Sequence, residues 1–248
     1  MQRSAPRLTR ILAAAAVPVM LVVAGCSSDS GSGGGKGAGE AGGAQGGTTA
    51  SASASATPSP TPTVEPAKFA KLPTACKAIT AKTTASLVPK AKNENGTAAA
   101  STDLAHRSGC SWNGLDDKGV KGSQYRWLDV SFYRYDSEVS LGSGQERARE
   151  NFAKELGKVQ ATTGAKTLST APVAGVGDEA KIVTYTVNKT GEDFPYASIV
   201  ARSGNVLVLL SYNGAGYAGA PVPRAKTIVE GATKAAKEAV ASVAAANK

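Results

Sequence analysis

Residues 27–66 contain almost nothing that a hydrophobic core could use. Residues 30–47 are glycine-rich with alanine, Lys36, Glu40 and Gln45, and residues 48–66 turn to Ser, Ala and Thr, then to Thr57-Pro58-Ser59-Pro60-Thr61-Pro62-Thr63. So few aliphatic and aromatic side chains bury too little apolar surface to offset the entropy of ordering the segment. The first part reads as a flexible coil and the second stiffens toward polyproline II. Of the 248 residues, folding is thereby confined to residues 68–248, the length of a single domain. Taken wholly as a flexible coil, a linker of about 40 residues spans on the order of 35 Å root mean square. Its Thr/Pro run has the composition of either a bare spacer or an O-glycosylated stalk, and both readings stay open.

The residues before the linker read as an address. Arg3, Arg7 and Arg10 form a basic start, residues 11–24 are apolar, and Val23-Ala24-Gly25-Cys26 ends the run with small residues before a cysteine. This is the layout of a secretory signal peptide, and its end resembles the lipobox at which a bacterial lipoprotein is cut and its cysteine diacylated. A general signal peptidase would more naturally have an Ala-x-Ala site, and a retained helix would need more apolar residues than lie between Arg10 and Cys26. The expected organisation is a signal peptide over residues 1–25, a lipid-bearing Cys26 and disordered linker over 26–67, and one domain over 68–248. The protein would then sit on the extracytoplasmic face of the cell membrane, held there by lipid.

That assignment also sets the cysteine count. The chain has three cysteines; with Cys26 given to lipid, Cys76 and Cys110 remain as one pair in an oxidising compartment. A disulfide between them is expected rather than two buried free thiols. Charge says less. The formal net charge is +9, but the lysines are scattered and no RNP or helix-turn-helix signature accompanies them, so nucleic acid is not expected as a partner. Attraction to anionic headgroups or wall polymers would be weak and salt-dependent.

Within the domain the patterning is mixed. Residues 75–88 read as a weak helix stopped by Pro89, residues 90–107 as a polar loop, and Cys110-Ser111-Trp112 as the opening of a strand. In residues 127–133, Leu128, Val130 and Phe132 share one face of a strand, with Trp127, Asp129, Ser131 and Tyr133 on the other. Ala148, Phe152, Leu156 and Val159 form the apolar stripe of a helix over residues 145–159. Strands are expected over residues 180–187, 196–201 and 206–210, the last an unbroken Val-Leu-Val-Leu-Leu run typical of a buried central strand. Residues 213–223 read as a Gly/Pro loop, and residues 224–245 as a helix with Ile228, Ala232, Ala235, Ala239 and Val243 on one face. The order gives an α+β domain: an antiparallel sheet of about five strands with helices packed on one side.

The lipobox, the low-complexity linker, Pro73 to Cys76, the Cys-x-Trp of Cys110 and Trp112, the turn Gly175-Val176-Gly177-Asp178-Glu179-Ala180 and the final valine-rich strand together resemble the two-cysteine lipoproteins of actinobacteria. That family is similar in fold to the extrinsic subunit of the photosystem oxygen-evolving complex. The resemblance covers residues 73–245 and implies a fold, a membrane anchor and a disulfide, but no reaction, since fold does not fix function.

Residues for catalysis are scarce. His106 is the only histidine and lies in a polar stretch between Ala105 and Arg107, where an exposed imidazole without a role is expected. Asp178 and Glu179 are consecutive, so in extended chain they point to opposite faces; the expected role of Asp178 is to cap the glycine turn. Gly175-Val176-Gly177 lacks the third glycine of a dinucleotide fingerprint. The aromatic residues Trp127, Tyr133, Tyr212 and Tyr217 are the candidates for a ligand or partner surface, with core and sheet-edge packing as the competing role; Tyr212 and Tyr217 flank Asn213-Gly214-Ala215-Gly216 in the expected loop. The sequence thus points to a non-enzymatic envelope module with no cofactor and no metal, contacting an envelope protein, a wall polymer or a small ligand. The alternatives are a carrier of an apolar small molecule or lipid and, third, a carboxylate-based hydrolase. The oligomeric state stays open.

Overall fold

The sheet is organised by two strands distant in sequence. In the computed structural model, which describes residues 63–248, β3 (Ser123–Arg134) and β7 (Val206–Tyr217) pair antiparallel from Ser123 opposite Tyr217 to Arg134 opposite Val206. The expected signal peptide, the expected lipid site at Cys26 and the expected linker as far as Pro62 lie outside the described residues. On one side of this pair lie β2 (Arg107–Asp116) and the two-residue β1 (Thr97–Ala98); on the other, β6 (Glu192–Ser203), β5 (Glu179–Lys189) and β4 (Ala165–Pro172) form a meander. The order is β1-β2-β3-β7-β6-β5-β4, antiparallel throughout.

The class is α+β, but the sheet has seven strands where the patterning suggests about five. The two extra strands are its edges, and neither carries an apolar alternation. β1 is too short for one. β4 is a Ser/Thr strand lying almost wholly in solvent, with a register shift between Lys166 and Ser169 where Thr167 takes φ 52°, the kind of irregular edge that resists further pairing.

Three helices accompany the sheet. The weak helix expected over residues 75–88 is split into a single 3₁₀ turn, Ala75–Lys77, and α1 (Ala81–Leu87), because the Thr80 hydroxyl accepts from Thr83 N and starts a new helix there. α2 (Gly144–Gln160) begins with a full capping box between Ser143 and Glu146, and α3 (Ala225–Ala245) follows the last strand. α3 buries the stripe its periodicity marks, and α2 buries Ala148 and Phe152 of its stripe while Leu156 and Val159 are partly covered.

The two helices do not pack on one side, which corrects the expected architecture. Ile228, Ala232, Ala235, Ala239 and Val243 of α3 pack with Leu87 on the face bearing Leu128, Val130, Phe132, Val206, Val208 and Leu210. Ala148 and Phe152 of α2, flanked by Leu156 and Val159, pack on the opposite face against Val200, Leu207 and Leu209. The reason is topological. The chain leaving β3 at the centre must cross the sheet to start β4 at its far edge, and α2 is that crossing. Consecutive residues of residues 206–210 therefore enter opposite cores, so all of them are apolar.

Cys76 and Cys110 form the disulfide, with Cα atoms 5.1 Å apart. It ties the 3₁₀ turn before α1 to β2, across a separation of 34 residues. Reduction, or Cys76→Ser with Cys110→Ser, is expected to lower unfolding stability by about 3–4 kcal/mol on the chain-entropy model. The check is urea unfolding with and without reductant; an unchanged midpoint would show that the staple adds nothing.

Candidate functional site

α2 covers only part of its face of the sheet. Beyond its footprint, toward the starts of β3 and β6 and the end of β7, the face is open and forms a groove of about 670 Å³. Strand alternation sets its lining. Tyr125, Trp127 and Asp129 of β3 alternate with residues directed to the α3 side, and pairing sets Asn213 of β7 between Trp127 and Tyr196 of β6. Asp129 lies opposite Ser211.

The aromatic rings form a connected wall. Phe194 meets Tyr125 edge-on at 6.1 Å between centroids and Tyr217 at 6.3 Å, while Tyr196 stacks on Tyr185 at 4.9 Å. Lys189, from the β5–β6 hairpin, lies across this wall with Nζ 5.5 Å from the Phe194 centroid and 5.1 Å from that of Tyr196, and it donates to the Tyr196 hydroxyl at 2.6 Å. The floor is polar: Ser198 Oγ donates to Ser211 Oγ at 3.2 Å, with Tyr185 Oη at 3.3 Å from Ser198 Oγ.

Asp129 is the one carboxylate of this floor. The Trp127 indole N–H donates to it at 3.0 Å, and no Lys or Arg forms an ion pair with it among the described residues. Burial pushes its carboxyl up to about 6, against a partial lowering by the indole hydrogen bond. A half-buried carboxylate without a cationic partner makes this groove the candidate site.

Of the residues singled out from sequence, Trp127 and Tyr217 come together in this groove. Tyr133 shares their face but packs at the α2 end beside Leu207, with the Arg107 guanidinium 5.7 Å from its ring. Tyr212 does not belong to the surface. It is 3% exposed within the α3-side core, its hydroxyl donating to Leu87 O at 2.7 Å. The loop expected over residues 213–223 begins only after Tyr217, so Tyr212 and Tyr217 lie five residues apart in one strand and point to opposite faces. The small residues read as loop signals serve close approach instead, since a Cβ on Gly214 would fall 2.4 Å from Tyr125 O. Sequence reasoning misses Phe194 and Lys189, because residues 188–195 with Pro195 read as a connection rather than the start of β6, and it does not single out Tyr196, the first residue of the expected strand over 196–201.

His106 is also corrected. Its Nδ1 lies 2.8 Å from Asp103 Oδ1 and its Nε2 2.7 Å from Asp136 Oδ2, and Arg134 pairs with the same Asp136. The two carboxylates raise the imidazole's affinity for its proton, Asp136 most. Asp103 is visible in the sequence at i−3; Asp136 is brought near by the β2–β3 pairing. Asp178 and Glu179 converge after all, but on an internal cation: Glu179 accepts from Arg202 Nε, and Asp178 from Arg202 Nη1 at 3.2 Å and from Gly204 N at 2.6 Å. Gly177, at φ 66°, passes so close to this strand that a Cβ would stand 2.3 Å from Arg202 O. Among the described residues no three His, Cys, Asp or Glu side chains come together as metal ligands.

No protein-family model matches the chain, and no curated protein matches it. Among solved structures, LpqN of Mycobacterium tuberculosis, described as involved in cell envelope biogenesis, aligns with 52% of this chain and 68% of its own length at 14% identity, with a TM-score of 0.32. That overlap is too slight to carry a function across.

Two pH effects are expected. Between about pH 4 and 6 the unfolded chain ionises Asp129 before the folded one does, so stability falls as pH rises through that window. Asp129→Asn keeps an acceptor for the indole and should stabilise the protein at pH 7.5 by about 1–2 kcal/mol, the shift being discounted for the open side of the groove. The gain should vanish near pH 3.5 in thermal unfolding; a gain equal at both pH values would refute ionisation of Asp129 as its origin. For His106 the stabilisation is present below its ordinary value of 6.5 and lost as pH rises through the higher folded value. Its imidazole should titrate above 6.5 by NMR, and Asp136→Asn should bring it back toward that value.

Proposed function

We propose that this chain is an extracytoplasmic lipoprotein, anchored by lipid on Cys26, whose domain acts as a non-enzymatic binding module for a component of the cell envelope. Its contact surface in this reading is the aromatic groove on the half-open face of the sheet. The observation that carries the proposal is the position of that groove relative to the tether. Gln145 donates to Pro66 O, and Asn205, at the β6–β7 turn, accepts from Phe69 N and donates to Phe69 O. The incoming chain is thus held at the β6–β7 turn, whereas Phe194 and Tyr217 lie at the other ends of the same two strands. At about 3.3 Å per residue, the length of β7 separates the two by roughly 35 Å. A domain tied at one end of its sheet and open at the other suits contact with material away from the tether, such as a wall polymer or an envelope protein.

No helix among the described residues is long and apolar enough to cross a membrane; in this reading the lipid on Cys26 supplies the attachment. A carrier would need room between helix and sheet, where Ala232, Ala235, Ala236 and Ala239, all fully buried, instead let α3 lie close on the strands. Hydrolysis by Asp178 and Glu179 would need those two carboxylates free of the Arg202 guanidinium that holds both.

Two measurements test the proposal. Metabolic labelling with a palmitate analogue should mark the wild-type protein and not Cys26→Ser. Isolated cell walls should retain the protein, and Trp127→Ala with Tyr217→Ala should weaken that retention about tenfold or more, given about 0.5–1.5 kcal/mol for each aromatic contact beyond its burial. Retention unchanged in the double variant would place the contact elsewhere.

A further inference from the structure

Taking the groove as the binding surface proposed above, we infer that its ligand presents an alkylammonium group, and that Lys189 occupies the seat of that group in the free protein. The first ground is that the seat already holds a primary ammonium: Lys189 Nζ donates to the Tyr196 hydroxyl and lies 5.5 Å from the Phe194 ring centroid, within cation–π range. The Phe194 ring and the Tyr196 hydroxyl therefore stand together where a cation can reach them.

The second ground is that the present occupant is readily displaced. Lys189 is exposed and sits at the end of β5, next to the hairpin residues Thr190 at φ 53° and Gly191 at φ 87°. Its ammonium makes no salt bridge among the described residues. Swinging it into water costs the sheet no hydrogen bond, and an exposed cation–π contact is weak enough to be exchanged for another.

The third ground is charge. On a chain of net charge +9, the groove keeps a carboxylate without a cationic partner. Asp129 takes a hydrogen bond from Trp127 on its own strand, and its register neighbours on β2 and β7 are Ser111 and Ser211, which carry no charge. With Lys189 turned away, the groove offers a cation one carboxylate and several aromatic faces. A neutral ligand would gain little from that carboxylate.

The test uses the full-length protein in detergent and follows the two indole N–H resonances by NMR. The Trp127 indole binds Asp129 and reports on the groove; the Trp112 indole is buried in the α3-side core and serves as the internal control. The probes are N-α-acetyl-lysine methyl ester, which carries a primary ammonium, and its ε-acetylated form, which does not. Only the charged probe should shift the Trp127 signal. Lys189→Ala should tighten its binding three- to tenfold by removing the competitor, and Asp129→Asn should weaken it tenfold or more. Equal response to both probes, no response to either, or weaker binding in Lys189→Ala would overturn the inference. If the charged probe fails while walls still retain the protein through Trp127 and Tyr217, only the ligand class is wrong; if retention fails as well, the binding surface is wrong too.

Discussion

Twelve residues of β3 run beside twelve of β7, and this pairing joins the β1–β3 part of the sheet to the β4–β7 meander. Bringing together segments so far apart in the chain carries a loop-closure cost, and the return is burial on both faces at once. Leu128, Val130 and Phe132 go with Val206, Val208 and Leu210 to one core, while Leu207 and Leu209 go to the other. Without this register there would be no floor for α3, no seat for α2 and no groove, since Trp127, Asn213 and Tyr196 share the groove only because three strands are aligned there.

The two faces are covered differently. One is closed by α3, α1 and the stapled turn before α1, with four fully buried alanines allowing close packing. The other is closed only where α2 crosses it. That asymmetry follows from connectivity, because a single crossing helix cannot cover a seven-stranded sheet. The uncovered part carries aromatic rings, hydroxyls and Asp129, whose raised proton affinity is a standing cost to the fold above pH 6. A groove that is open, aromatic and held at such a cost is a better candidate for function than the ion-paired His106 or the Arg202-bound Asp178 and Glu179.

Much of the scaffold is legible in the sequence because its signals are local. The stripes of α2 and α3, the alternation in β3, the apolar run of β7 and the pairing of Cys76 with Cys110 each depend on residues close in the chain or on a simple count. The edge strand β4 is not legible, because solvent surrounds both its faces and leaves no alternation to read. The groove is half legible. Trp127 and Tyr217 are marked by residue type, but Phe194 lies just before Pro195, and a proline in a strand reads as a break. Tyr212 is misplaced by its neighbours: Asn213-Gly214-Ala215-Gly216 has the composition of a loop, whereas its small residues serve a strand that lies close against the chain beside it.

The sequence by itself determined which helix faces are apolar, that two cysteines form one pair and that the class is α+β. These follow from composition and from periods of 2 and 3.6 residues, which belong to a single stretch of chain. Only the tertiary structure decided that the helices take opposite faces, that Asp136 reaches His106, and that one tyrosine of residues 212–217 is core while the other lines a groove. Those outcomes depend on which strands become neighbours and on which side a connection crosses. Burial and register across the whole sheet settle both, beyond the reach of any local pattern.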